Sequence, residues 1–252
     1  MSEVIPIFKT DNSFGKSVLT DRNPDETKEG GPKSVFSIAK NKGLKTLFLL
    51  EDSMMGFFYC HKTAKDLGIK LVYGVYFKIE DSRNEKHDSK VVILSKNDEG
   101  HKDLMKLYSE CETELGGKIS FEKIKERIGS NKNVQICIPF YDSFIHWNLM
   151  NLDGISVNLT GLDVVFFRDE KGLPFDSLIQ NNIEKYCKKN NFKIQDVHSI
   201  YYETDEEAKE LQVLKILTTR KFGRPPNLGN PNLEHFASNK FSWESYERKN
   251  GK

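Results

Sequence analysis

Short continuous apolar runs recur along this 252-residue chain, with helically spaced stretches between most of them. Residues 4–8 (VIPIF) read as a strand. Residues 20–33 (TDRNPDETKEGGPK) are polar and rich in proline and glycine, as a surface loop is. Ser34 is placed to cap a helix through SVFSIAKNKG that stops at Gly43. Residues 47–50 (LFLL) are apolar without a break, the pattern of a parallel strand covered on both faces. A helix is predicted over 56–67 with Gly68 closing it. A strand over 71–79, a charged loop over 80–89 and a strand over 91–94 follow.

The alternation continues with amphipathic helices over 98–111 and 121–128, and buried strands over 134–140 (VQICIPF) and 164–167 (VVFF). Asp176 caps a predicted helix that runs to about Lys189. A strand over 199–202 leads into Thr204-x-x-Glu207, the spacing of a capping box, for a helix to about Thr219. Beyond Lys221 the pattern dissolves into KFGRPPNLGNPNLEHF and an aromatic KFSWESY. Strands alternating with helices argue for a parallel α/β architecture. About seven strands fit a closed or nearly closed βα barrel over residues 1–220 better than an open sheet. Residues 221–252 are left as an irregular C-terminal extension. No GxGxxG follows the first strand and no GxxxxGK[ST] occurs, which argues against dinucleotide and P-loop chemistry.

Charged residues make up 30% and hydrophobic ones 37%, a cytosolic balance. No apolar run has transmembrane length and the N-terminus carries no signal-peptide pattern, so no membrane role and a cytoplasmic location are expected. Cys60, Cys111, Cys137 and Cys187 are far apart and form no CxxC pair, so they read as reduced thiols in or near the core. A net charge of +1 offers no global field for nucleic acid. Two local basic stretches remain. Residues 185–193 (KYCKKNNFK) read as a solvated helix end, and 219–224 (TRKFGR) as the better contact surface.

Glu51, Asp52 and Ser53 sit where a strand ends and a helix begins, the place where α/β folds hold their chemistry. Two adjacent carboxylates stand there with no histidine or cysteine beside them.

Four stretches, in order, span nearly the whole chain: SMMGFFYCHKTAKDLGIKLVYGV (53–75), VVILSKNDEGHKDLMKLYS (91–109), IYYETDEEAKELQVLKILTTRKF (200–222) and NLEHFASNKFSWESY (232–246). Together they resemble the PHP (polymerase and histidinol phosphatase) domain at the N-terminus of bacterial DNA polymerase III alpha subunits, in a compact, free-standing or phage-encoded form. The KNDEG element is the most specific of them. The resemblance implies a distorted (βα)7-type PHP barrel. It also implies a metal site of histidines and carboxylates at the C-terminal ends of the strands. In active members that site hydrolyses phosphoesters.

The family's ligand positions are changed here. Its His-x-His after the first strand falls on the run from Lys9 through Asp11 to Ser13, and its Asp-His after the second on Leu50 and Glu51. The glutamate after the third strand falls on Tyr76, and the histidine before the KN element near Lys90. The closing Asp-x-His falls on His198, Ser199 and Ile200. The remnant-site candidates are therefore Lys9, Asp11, Glu51, Asp52, Lys90, Asp142 and His198. In this reading an ammonium near Asp11 and Glu51 replaces a metal's charge and no cofactor is bound. The rival reading gathers Asp11, Glu51, Asp52 and Asp142 around Mg²⁺ or Mn²⁺, with Zn²⁺ as a further alternative. A third has Asp52 and Asp142 capping the helices that follow them. His61, His87, His101, His146, His198 and His235 read as surface or hydrogen-bonded side chains rather than ligands.

The expected role is a catalytically decayed structural or accessory module in DNA replication, with a metal-dependent phosphoesterase or 3′–5′ exonuclease as the alternative. Phe222, Arg224, Phe241, Trp243 and Tyr246 either clasp the barrel or anchor a DNA polymerase subunit or other replisome protein. DNA would be reached indirectly. In the polymerase family the catalytic body would follow this segment. If the chain is virus-encoded, its location is the host cytoplasm.

Overall fold

The continuous apolar runs form strands whose side chains alternate between two buried layers, one inside a barrel and one beneath its helices. The structure is a computed structural model and describes residues 3–80, 89–150, 154–218 and 238–250. In chain order the elements are β1 (Ile5–Phe8), α1 (Val35–Asn41), β2 (Thr46–Glu51), α2 (Phe57–Asp66), β3 (Lys70–Ile79), β4 (Lys90–Ser95), α3 (Asp98–Thr113), β5 (Lys118–Ile119) and α4 (Phe121–Ile128). They continue with β6 (Val134–Ile138), α5 (Phe144–Met150), β7 (Val164–Arg168), α6 (Asp176–Asn190), β8 (Lys193–Ile200), α7 (Ala208–Thr218) and α8 (Trp243–Asn250).

The sheet runs β2-β1-β8-β7-β6-β4-β3, and β3 pairs back onto β2. Seven strands thus close a barrel, while the short β5 pairs with the far end of β3. The fold is α/β, of the distorted (βα)7 type. The distortion lies at β4, which is antiparallel to both β3 and β6; the other pairings are parallel. This departs from the uniformly parallel expectation for a simple reason. A parallel return needs a crossover of about a dozen residues or more, usually a helix, and only residues 80–89 separate β3 from β4. The chain reverses, and β4 therefore begins at the end of the barrel where the other strands finish.

The interior holds Ile7, Leu50, Val72, Val92, Leu94, Cys137, Phe167 and Val197. A Cβ on Gly74 would stand 2.3 Å from Leu94 and 2.9 Å from Leu50, so only glycine leaves these two leucines their room. The larger core lies outside the strands, under the helices, and includes Phe8, Phe36, Tyr73, Phe166 and Trp243. All four cysteines are free and buried. Among the described residues no helix is long and apolar enough to cross a membrane.

Local capping follows the sequence closely. The Ser34 hydroxyl accepts from the Phe36 and Ser37 amides. Glu207 accepts from the Glu203 and Thr204 amides, completing the capping box ahead of α7. Asp176 behaves differently from expectation. It starts α6 but turns back to accept from the Lys171 and Leu173 amides and the Tyr141 hydroxyl, which staples the preceding loop. The last barrel strand starts at Lys193, several residues before the predicted start, because charged and polar side chains alternate along its half-exposed first half.

Residues 238–250 are ordered against the barrel, so the extension is only partly irregular. The Tyr201 amide donates to Phe241 and the Trp243 amide to Tyr202, laying this segment beside the end of β8. Helix α8 then carries Trp243 onto Phe8, stacked at 5.7 Å, and sends the Tyr246 hydroxyl to the Val4 carbonyl. Phe241, Trp243 and Tyr246 are all buried in this clasp, which removes them as anchors for another protein. Phe222 and Arg224, like the 219–224 basic stretch, lie outside the described residues.

The clasp predicts an asymmetry measurable by urea denaturation. Trp243→Ala should cost roughly 3–5 kcal/mol, the usual loss for truncating a buried aromatic. Glu247→Ala, on the same helix, breaks only a half-exposed pair with Lys42 and should cost less than about 1 kcal/mol.

Candidate functional site

A side-chain period of two decides what reaches the barrel's mouth. The inward positions Ile7, Leu50, Phe167 and Val197 are apolar. The next inward positions toward the C-terminal end are Lys9, Asp52, Asp169 and Ser199, joined by Tyr76 from β3 and by Lys90 from the start of the reversed β4. These residues line one cavity with Lys16, Tyr141, Asp142, Tyr201 and Lys215.

Each carboxylate in this layer faces an ammonium group. Lys9 Nζ lies 3.0 Å from Asp52 Oδ1, and Lys16 Nζ lies 2.6 Å from Asp52 Oδ2. Lys90 Nζ lies 2.8 Å from Asp142 Oδ2. Lys171 Nζ lies 3.0 Å from Asp169 Oδ1 and donates to the Ser199 carbonyl, with both side chains almost wholly buried. The Tyr76 ring sits between two of the cations, 4.4 Å from Lys9 Nζ and 5.8 Å from Lys90 Nζ. Such contacts help hold a desolvated ammonium.

The electrostatics follow from burial and these pairings. Burial alone would raise the Asp52 carboxyl, but Lys9 and Lys16 outweigh it and hold it well below the usual carboxylate range. Burial lowers Lys9, with Asp52 opposing. Lys171 is lowered to about 8 by burial, against the pull of Asp169. Asp169 is itself lowered: Lys171 and His198 overcome the effect of burial.

Of the seven candidates, the structure gathers Lys9, Asp52, Lys90 and Asp142 at the mouth and leaves three elsewhere. Glu51 precedes Asp52 by one residue and so points to the opposite, outer layer. There it accepts from the Thr10 amide and hydroxyl at 2.8 Å and from the Ser13 hydroxyl. Asp11 lies beyond the turn that begins at Thr10, among Thr20, Asp21 and Arg22. His198 alternates outward between Val197 and Ser199 and packs on the Tyr246 ring of α8. Burial, then the Lys171 charge, lowers it to about 3.

The all-oxygen set of Asp11, Glu51, Asp52 and Asp142 therefore does not converge. Capping is not the role of Asp52 either, since Gly56 is the N-cap of α2 and no side chain caps it. At α5 the Ser143 hydroxyl takes the His146 amide, and the Asp142 carboxylate pairs with Lys90. Lys16, Asp169, Lys171, Tyr141 and Tyr201 were not foreseen. The inward parity of Val165 and Phe167 was the available signal for Asp169.

The donor set tests whether the mouth fits the metal cluster that the resemblance implies. Among the described residues it has no imidazole, and its carboxylates are already matched to lysines; His87 and His235 lie outside the described residues. Among the described residues no three His, Cys, Asp or Glu ligand atoms converge there. The described residues do not fit such a cluster.

The family model of the PHP domain matches residues 29–145, from the loop before α1 into α5. This match is to the PHP domain as such and does not single out the DNA polymerase III alpha version. None of the curated proteins matches the chain. Among solved structures it is similar to an amidohydrolase from Chromobacterium violaceum with bound sulfate and no metal. That similarity covers 77% of this chain and 87% of the other, at 9% identity and a TM-score of 0.41.

Glu51 gives the site a pH signature. Burial raises its carboxyl from 4.5 to about 7, against the opposing effects of Lys9, Ser13 and Thr10. Between these values the folded protein keeps a proton that the unfolded chain releases. Its contribution to stability is therefore full below about 4.5 and is lost as pH rises through about 7. In urea denaturation across this range, Glu51→Gln should flatten the slope and be the more stable protein above pH 7, by ~1–3 kcal/mol.

Proposed function

We propose that this chain is a PHP-type barrel in which a lysine–carboxylate layer takes the place of a hydrolytic metal centre. It serves as a structural or accessory module of a DNA polymerase III alpha type replicase. The observation that carries the reading is the matching of mouth carboxylates to ammonium groups: Asp52 to Lys9 and Lys16, Asp142 to Lys90, and Asp169 to Lys171. A metal ion would have to displace these cations before it could reach an oxygen, and among the described residues it would find only hard oxygen ligands there.

The PHP match over residues 29–145 supports kinship with a metal-dependent, hydrolase-type module. The ordered KNDEG, IYYETDEEAKEL and NLEHFASNKFSWESY segments support the polymerase setting. With Phe241, Trp243 and Tyr246 buried in the clasp, the contact surface moves to the rim of the mouth. Phe14 is 78% exposed on the loop after β1, and Met55 and Phe58 are 67% and 79% exposed after β2. Large apolar side chains kept in water at one end of a barrel suit a protein partner.

Co-purification with the cognate replicative polymerase polypeptide tests the role. The full chain should be retained and Phe14→Ser/Phe58→Ser should not; no association of the unaltered chain contradicts the proposal. In parallel, phosphodiester cleavage of single-stranded DNA with added Mn²⁺ should not exceed that of Asp52→Asn. Turnover that Asp52→Asn abolishes would instead establish the phosphoesterase.

A further inference from the structure

A second cluster of ligand-type side chains lies outside the barrel, between α2 and α3. His61 projects from α2. Asp98 and His101 come from the first turn of α3, where three-residue spacing puts both on one face of the helix. One ligand atom from each of the three lies within 4.8 Å of the others. The two imidazoles meet edge to face at 5.3 Å, and the Phe57 ring packs against both, at 5.8 Å from His61 and 5.0 Å from His101. The rings are thus held in place before any ion arrives.

His101 supplies the independent sign of a missing ligand. It is only 5% exposed, yet neither ring nitrogen has a hydrogen-bond partner. Its Nδ1 stands 3.7 Å from Asp98 Oδ1, beyond hydrogen-bond reach. Buried polar atoms are rarely left so, because an unsatisfied one costs free energy.

We propose that His61, Asp98 and His101 form a site for a transition-metal dication of the Zn²⁺, Co²⁺ or Ni²⁺ class, separate from the barrel mouth and tying α2 to α3. Two imidazoles and one carboxylate select such ions over Mg²⁺ and Ca²⁺, which need mostly oxygen ligands. The Asp98 side chain is largely solvent-exposed and free to turn toward the imidazoles. The hollow around the three ligands opens to solvent and is lined by Lys65, Lys70 and Lys96, so the remaining coordination position takes water or a small anion. The expectation that neither His61 nor His101 is a ligand is replaced by this assignment.

The test uses the full chain without an affinity tag, stripped of metal and titrated with Zn²⁺ by calorimetry, with Co²⁺ absorption reporting the ligand field. The unaltered chain should bind one equivalent and melt at a higher temperature with metal. His61→Ala and Asp98→Asn, both at positions with solvent access, should melt normally without metal. Each should weaken binding by more than about tenfold, the cost of losing even an outer-shell partner. Asp52→Asn, at the mouth, should bind as the unaltered chain does. No stoichiometric binding, equal binding by the His61 and Asp98 variants, or loss confined to Asp52→Asn would each overturn the proposal.

Discussion

A carboxylate withdrawn from water needs a counter-charge, and at the mouth of this barrel lysine provides it. Asp52, Asp142 and Asp169 lie where the strands converge, against the apolar interior of Leu50, Phe167 and Val197. Unpaired, a buried carboxylate would cost several kcal/mol or take up a proton. The ammonium groups of Lys9, Lys16, Lys90 and Lys171 supply that counter-charge at salt-bridge distance. The Tyr76 ring lets two of these cations share a small space. In the proposed function this pairing stands in for a hydrolytic cluster, since an incoming dication would first have to expel the lysines.

The scaffold delivers these groups by two devices. Strand alternation sends every second residue inward, so Lys9 and Asp52 meet across the opening while their neighbours Thr10 and Glu51 join behind the sheet. That outer link ties the end of β1 to the end of β2, and Ser13 extends it by accepting the Asp52 amide. The reversal of β4 brings Lys90, the first residue of its strand, to the end where the other strands finish. On the flank, the Phe241 ring lies 5.1 Å from Lys171 Nζ and stacks on Tyr201, so the clasp also covers the most deeply buried pair.

The barrel was legible in the sequence because each apolar run is short, continuous and bounded by caps such as Ser34 and Thr204. The direction of β4 was written in the loop before it, too short for a crossover. The mouth was legible where a family motif marked it, at Lys9 and Lys90. Glu51 shows the limit: it occupies the right loop, but a one-residue difference in parity places it on the other face of the sheet. Asp169 was signalled only by the inward parity of Val165 and Phe167, and Lys171 gave no sign because its meaning arises from β8 and the C-terminal segment, far away in sequence. Helix α8 was hidden for the same reason, since the Trp243 ring stacks on Phe8, at the other end of the chain.

The most direct measurement is an anomalous difference map from a crystal of the protein soaked in Mn²⁺. The account predicts Lys9 and Lys16 at salt-bridge distance from Asp52, Lys90 likewise from Asp142, and no ion within bonding distance of Asp52, Asp142 or Asp169. An ion bound by those carboxylates, with the lysines turned out to solvent, would contradict it.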